Sequence, residues 1–301
     1  MKNKRELGHL SAMITIFIWG TTFISTKILL NDFLPVEILL FRFIIGFIAL
    51  VIVHPKSMKQ TSAKQELIFA CAGLCGITLY YLLENIALTY TTASNVGVII
   101  SIAPFFTALI SHLFIKQSKK ISMKFIIGFI IAMIGISVIS FGNSKLVVKP
   151  VGDILAVAAA FVWAIYSILT KKISTFGYNT IQTTRRIFGY GILFMIPVML
   201  ISDYKMNLSR FANTSNLLNM IFLGIGASAL CFVTWNFSVK HLGAVKTSIY
   251  IYVVPVITVI SSAIVLKERI TVSVVVGTLL TLSGLLLSQQ KNKSGDTMNE
   301  Q

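Results

Sequence analysis

Few side chains in this sequence are equipped for chemistry. Only ten of its 301 residues are Asp or Glu, and one of them, Glu84, interrupts the apolar stretch Tyr80 to Tyr90, YYLLENIALTY. An ionisable group in so apolar a segment is expensive and asks for a reason. Glu84 would take up a proton, meet a solute ammonium, or answer the guanidinium of Arg42 in FLPVEILLFRF. Arg42 and Arg186 both fall mid-span in apolar runs. Guanidinium groups grip carboxylates as a bidentate fork, so facing a cavity they would suit an anionic or zwitterionic solute; otherwise each ties neighbouring helix ends together. Trp19, Trp163, Tyr166, Trp235, Tyr250 and Tyr252 supply amphipathic rings, and Thr21, Thr22, Asn95 and Ser101 supply uncharged hydrogen-bonding groups. Trp19, Thr22, Arg42, Glu84, Asn95, Trp163, Tyr166, Arg186, Trp235 and Tyr252 are therefore the candidate solute-binding residues. Cys71 and Cys75 share a helix face as small packing residues, and neither His112 nor His241 has HExxH or other metal spacing. No metal or cofactor is expected.

The elements that position these groups are membrane spans. Hydrophobic residues make up 55% of the chain and charged residues 12%, against about 25% charged in soluble domains. Apolar runs of roughly 20 residues, enough to cross about 30 Å of hydrocarbon as helix, recur throughout. Breaks at charge, Pro and polar clusters predict ten helices, at 10–30, 35–53, 67–88, 94–115, 122–141, 151–170, 179–201, 216–238, 243–266 and 270–288. Glu84 then lies about 6 Å below one helix end at 1.5 Å per residue. The net charge of +16 resides in short loops, not in a basic domain, which argues against a nucleic-acid partner. With ten spans both ends of the chain share a side. Sixteen Lys and Arg residues fall on that side and seven on the other, with Arg42, Arg185 and Arg186 inside spans. The positive-inside rule then places both termini in the cytoplasm of a bacterial-type inner membrane. MKNKRELGHL lacks a cleavage site and is read as the start of the first helix, and residues 289–301, polar and without apolar period, as a disordered cytoplasmic tail.

The two halves of the chain also match each other. Asn85 and Pro104 lie 19 apart, as do Asn236 and Pro255; Gly128 and Gly135 correspond to Gly277 and Gly284; Trp19, Lys27 and Arg42 correspond to Trp163, Lys171 and Arg186. Five helices per copy is an odd number, so the second copy enters the membrane from the opposite side. The expected fold is an all-α polytopic membrane protein of two inverted five-helix repeats, 8–141 and 151–288. Inverted repeats underlie alternating access, because exchanging the conformations of the halves turns an inward-open form into an outward-open one. Pro104 and Pro255 each remove a backbone donor within a span, as pivots of that motion or as static kinks. The glycine pairs are read as close-packing faces, and Asn85 and Asn236 as inter-helix hydrogen-bonding groups.

The stretches FIWGTTFISTKILL, FLPVEILLFRF, ENIALTYTTASNVGVIISIAPFFTALI, FVWAIYSILTKK and WNFSVKHLGAVKTSIYIYVVPVITVISSAIVLKERIT resemble the drug/metabolite transporter superfamily, in particular its ten-helix EamA branch. The resemblance covers nearly all of residues 8 to 288 and implies a carrier of amino acids, related metabolites or xenobiotics, with a small-molecule substrate and the lipid bilayer as partners. It leaves import or export, and monomer or homodimer, open. Lys267-Glu268 matches the family's acidic residue after the Pro255 helix, whereas the first repeat has Lys116-Gln117. With no GxxxxGK[ST] loop for ATP, uphill work needs an ion gradient. A proton carried by Glu84 is the natural coupling, and facilitated diffusion the alternative. The rival classes are a polytopic intramembrane enzyme, for which no catalytic constellation appears, and a channel, for which the spans carry few polar rings.

Overall fold

In hydrocarbon every backbone N–H and C=O must find its partner within the chain, so apolar runs of this length fold as helices. The computed structural model describes residues 2–58, 61–114, 123–141, 150–202 and 207–288, with no strand among them. Ten helical paths result: α1 Lys4–Leu29, α2 Pro35–Val53, α3 Ala63–Tyr90, α4 Ala93–Leu113, α5 Met123–Ile139, α6 Pro150–Phe176, α7 Thr180–Ile201, α8 Thr214–Leu242, α9 Ala244–Val265 and α10 Val272–Ser288. Eight are long and apolar enough to span a membrane, and α5 and α10 are shorter apolar helices. The expected boundaries shift by a few residues. The largest shifts are at α1, whose helix starts well before residue 10, and at α6, which runs on to Phe176. Large apolar side chains such as Phe17, Ile52, Leu200, Ile201 and Val272 project outward, as a lipid-facing surface requires. The tail at 289–301 and the Lys116-Gln117 loop lie outside the described residues.

The protein is an all-α, multi-pass membrane protein built as two inverted five-helix repeats. Equivalent helices meet in pairs across the pseudo-twofold axis: α2 with α7, α4 with α9 and, in the most extensive contact of the bundle, α5 with α10. α1 lies along α8 and α9, and its equivalent α6 lies along α3 and α4. The glycines explain the α5–α10 crossing. A Cβ on Gly135 would come 2.6 Å from the carbonyl oxygen of Gly277, and one on Gly277 would come 2.6 Å from that of Gly135. Gly128 and Gly284 face each other in the same reciprocal way. The close-packing faces read from the sequence thus pack on each other.

Two further irregularities are symmetric, the first not legible in the sequence and the second expected from Pro104 and Pro255. α3 widens into a π-helix at Leu74–Leu79, and its equivalent α8 does so at Phe222–Leu230. α4 is interrupted by a turn at residues 101–102, just before Pro104, and α9 by a 3-10 segment, Ile249–Val253, just before Pro255. The two prolines thus sit at equivalent breaks, where the missing N–H prevents a regular α-helical ladder.

Candidate functional site

α1, α3, α4, α6 and α9 enclose a small cavity, of about 30 Å³, lined by Trp19, Thr22, Phe23, Tyr80, Tyr81, Glu84, Ile100, Trp163, Ile251 and Val254. Trp163 is at the midpoint of α6, which puts the cavity near the membrane midplane. Its size admits one or two water molecules, so the conformation is occluded. A box of rings surrounds it: Trp19 meets Trp163 and Trp235 at centroid distances of 5.1 Å, and Tyr80 meets Trp163 at 4.8 Å. Trp19 is fixed by its indole N–H, which donates to Ala227 O at 2.9 Å. Tyr166 packs on Trp163 at 4.9 Å and donates its hydroxyl to Asn236 Oδ1 at 2.9 Å.

Charge reaches this box from two side chains. Glu84 follows Tyr80 by one helical turn, so both point to the same face, and the Tyr80 hydroxyl lies beside the Glu84 carboxylate. Glu84 is 1% exposed, yet its Oε1 has no hydrogen-bond partner. Arg42 is fully buried, donates from Nε to Ser228 Oγ at 3.0 Å, and leaves Nη1 and Nη2 unpartnered. Its guanidinium lies 4.3 Å from the centre of the Tyr81 ring, so a cation–π contact stands where a counter-ion would, and Tyr81 lies between the guanidinium and the cavity. The structure thereby corrects one expectation. Arg42 and Glu84 form no ion pair; the ion pairs among the described residues are Arg186–Glu66 at 2.6 Å and Arg210–Glu37 at 2.7 Å. The indole N–H groups of Trp163 and Trp235 are also buried without partners. Buried polar groups in native proteins are seldom left unpaired, and here four such side chains gather around one cavity.

Of the candidate residues, Trp19, Thr22, Glu84 and Trp163 line the cavity. Tyr166 and Trp235 back its aromatic wall, and Arg42 stands behind Tyr81. Asn95 is elsewhere, near the start of α4, with its amide bonded to Thr91 Oγ1, and Tyr252 packs with Ala132 and Leu285 toward α5 and α10. Arg186 was expected mid-span but projects from the second turn of α7, half exposed, where Glu66 and Tyr190 hold it. Sequence reasoning missed Phe23, Tyr80, Tyr81, Ile100, Ile251 and Val254; the spacing of Tyr80 four residues before Glu84 was the available signal.

Polar contacts tie helix ends together on both sides of the bundle. On the side opposite the N-terminus, Lys27 Nζ donates to Leu88 O and Thr91 O. Glu268 accepts from the N–H groups of Ala93 and Ser94 and from the Ser94 hydroxyl, so the acid the sequence singled out caps a helix. On the N-terminal side Lys171 Nζ donates to Lys240 O at 3.3 Å. Asn85 Nδ2 donates to Pro35 O at 3.1 Å and Asn236 Nδ2 to Thr184 Oγ1 at 3.0 Å, tying α3 to α2 and α8 to α7.

An occluded central cavity enclosed by two inverted repeats, in a multi-pass bundle with a lipid-facing exterior, is the build of a membrane transporter. The sequence profile of the EamA-like transporter family matches residues 6–141 and again 150–289, and the chain belongs to that family. Its relatives carry transporter names. An uncharacterized transporter of Archaeoglobus fulgidus is 26% identical, covering 94% of this chain and 97% of its own. The uncharacterized transporter YdfC of Bacillus subtilis is 24% identical over 97% and 94% of the two chains. A probable terminal-alkyne amino-acid exporter of Streptantibioticus cattleyicolor is 23% identical over 93% and 92%. A crystal structure with 17% identity superposes with a TM-score of 0.65 over 94% of this chain and 96% of its own, and shares the fold.

Proposed function

We propose that this protein carries a small organic solute with an amino group and an apolar or aromatic body across a bacterial-type inner membrane, by alternating access, with both termini cytoplasmic. The observation that carries the reading is the set of unpartnered buried polar groups around the cavity, Glu84 Oε1 and the Trp163 indole N–H in its wall and Arg42 behind Tyr81. A solute ammonium would satisfy Glu84, a carboxylate or other acceptor would draw on the indole and guanidinium donors, and the body would lie among Trp19, Tyr80 and Trp163. Opening the cavity to about solute size means parting the helix ends held by Lys27 on one side and Lys171 on the other, with Pro104 and Pro255 as the breaks that bend. The amino-acid exporter named among the relatives favours the same chemistry.

Coupling rests on Glu84, the one carboxylate in the cavity wall. Proton and ammonium compete for it: protonated, it releases the cation; ionised, it binds. In proteoliposomes, counterflow of an amino-acid substrate found by thermal-shift screening should show trans-acceleration. Glu84→Gln should abolish accumulation driven by a pH gradient, with exchange surviving only at raised solute concentration, because the amide no longer pairs with the ammonium. Accumulation unchanged in that variant removes Glu84 from the coupling role, and flux without trans-acceleration removes the carrier reading.

A further inference from the structure

A second cavity lies apart from the central one. A pocket of about 450 Å³ opens on the N-terminal side of the bundle, lined by Phe47 of α2, Ser57 and Met58 of the loop that follows, and Gln182, Arg185, Arg186, Gly189, Tyr190 and Leu193 of α7. The two cavities share no lining residue. Its walls are fixed. Arg185 donates from Nη1 to His54 O at 2.7 Å and from Nη2 to Lys56 O at 2.8 Å, and Gln182 Nε2 donates to Lys56 O and Ser57 O at 3.2 and 3.1 Å. Arg186 uses Nε and Nη2 on Glu66, which also accepts from the Tyr190 hydroxyl.

The charge balance of this pocket is positive. A guanidinium has five N–H donors. Arg185 spends its contacts on neutral carbonyls, so its charge is not cancelled, and Arg186 keeps Nη1 beyond its pair with Glu66. Two cations therefore stand against one carboxylate. The pocket is also graded in depth. Arg185 and Gln182 stand in the first two turns of α7, and Gly189 and Leu193 follow up to about 12 Å further along at 1.5 Å per residue. α7 is the least enclosed of the long spans, and Leu193, Ile196, Leu200 and Ile201 continue its exposed apolar face. The pocket thus runs into an apolar face of the kind that lipid covers.

We infer that this pocket binds the headgroup of an anionic phospholipid, with phosphate on Arg185 and Arg186 and the upper acyl chains along Phe47, Gly189 and Leu193. A free anion would use the guanidinium groups and ignore the apolar wall; a zwitterionic lipid has phosphate and chains but brings a cation of its own against the two guanidinium groups. Basic pockets between helices at the level of the headgroups have this selectivity. The site joins α2 to α7, two helices that are equivalent in the repeats and meet across the axis, so a bound lipid bridges the two halves of the bundle.

The test uses the full-length protein purified in a neutral detergent, with bound lipid read by native mass spectrometry and thermal stability followed during titration. Phosphatidylglycerol should bind and raise Tm, while phosphatidylcholine and inorganic phosphate should not. Arg185→Gln should weaken phosphatidylglycerol binding about five-fold. Gly189→Leu places a side chain in the pocket, where its Cβ would meet nothing nearer than Phe47 Cε2 at 3.7 Å. It should keep the wild-type Tm without lipid and lose the phosphatidylglycerol response. Should Arg185→Gln fail to fold, Gly189→Leu decides alone. Equal responses to the charged and neutral lipids, a response that survives Gly189→Leu, or an equal rise with inorganic phosphate would each overturn the assignment.

Discussion

Lys27 and Lys171 occupy equivalent positions in the two repeats and do the same work at opposite ends of the bundle. Each extends its ammonium to carbonyls at the end of a neighbouring helix, Lys27 to Leu88 and Thr91 of α3 and its exit, Lys171 to Lys240 of α8. The equivalence is not complete. Lys27 holds two carbonyls and feels the charge of Glu268, which itself clamps the start of α4. Lys171 holds one carbonyl, and the residue matching Glu268 in the first repeat is Gln117.

From this a directional prediction follows. With Cys71, Cys75 and Cys231 replaced by serine and Thr22→Cys as a reporter in the cavity wall, a membrane-impermeant maleimide reads which end is open. Lys27→Met should speed labelling from the side opposite the N-terminus by at least about ten-fold, given about 1.5–3 kcal/mol for a hydrogen bond to a charged group. Lys171→Met should speed labelling from the N-terminal side, and by less. Faster labelling from the same side in both variants would sink the idea that these lysines close opposite ends.

Arg42 provides a second prediction, in which stability and transport part. A guanidinium at zero exposure with two unpartnered nitrogens costs the folded state its desolvation, and replacing such a charge by an apolar side chain of similar length is often neutral or stabilising. Arg42→Met should leave Tm unchanged or raise it by about 2–4 °C, while transport of the solute falls by at least ten-fold. A clear fall in Tm would mean that the contacts to Ser228 and Tyr81 hold the fold, and that Arg42 is there for structure.

These residues also show what the sequence could and could not reveal. The ten spans were legible because apolar length and charge breaks are local properties, and the inverted repeat because Trp, Arg, Asn and Pro identities recur in order. Glu84 was legible as a carboxylate in an apolar run. Its relation to Arg42 was not: which neighbour a buried charge meets depends on helix rotation, and Tyr81 intervenes on the guanidinium's face. Arg186 matches Arg42 in its place near the start of a helix but reaches the surface, where Glu66, unremarkable in sequence, captures it. Glu37 was passed over for the same reason. It accepts from Leu34 N–H and pairs with Arg210, which lies 173 residues away. The π-helical turns left no mark at all, since they follow from packing of α3 and α8 and not from any residue that demands them.

The α5–α10 crossing allows the strictest test of the repeat geometry. At Gly135 and Gly277 the atoms a new Cβ would strike are backbone, each glycine meeting the other's carbonyl oxygen at 2.6 Å, and backbone cannot rotate aside as a side-chain tip can. Gly135→Ala and Gly277→Ala should therefore each destabilise by about 1–3 kcal/mol, the range for overpacking, despite alanine's better helix propensity. Gly189→Ala, with an ordinary 3.7 Å contact, should be neutral or slightly stabilising. The double variant decides whether the two glycines act on one contact. Once the first methyl has pushed the helices apart the second has less to displace, so the combined loss should fall short of the sum, as coupled neighbours do. Unfolding midpoints of the two single variants and the double variant measure this directly, and strict additivity would mean that the crossing seen here is not the one that holds the two repeats together.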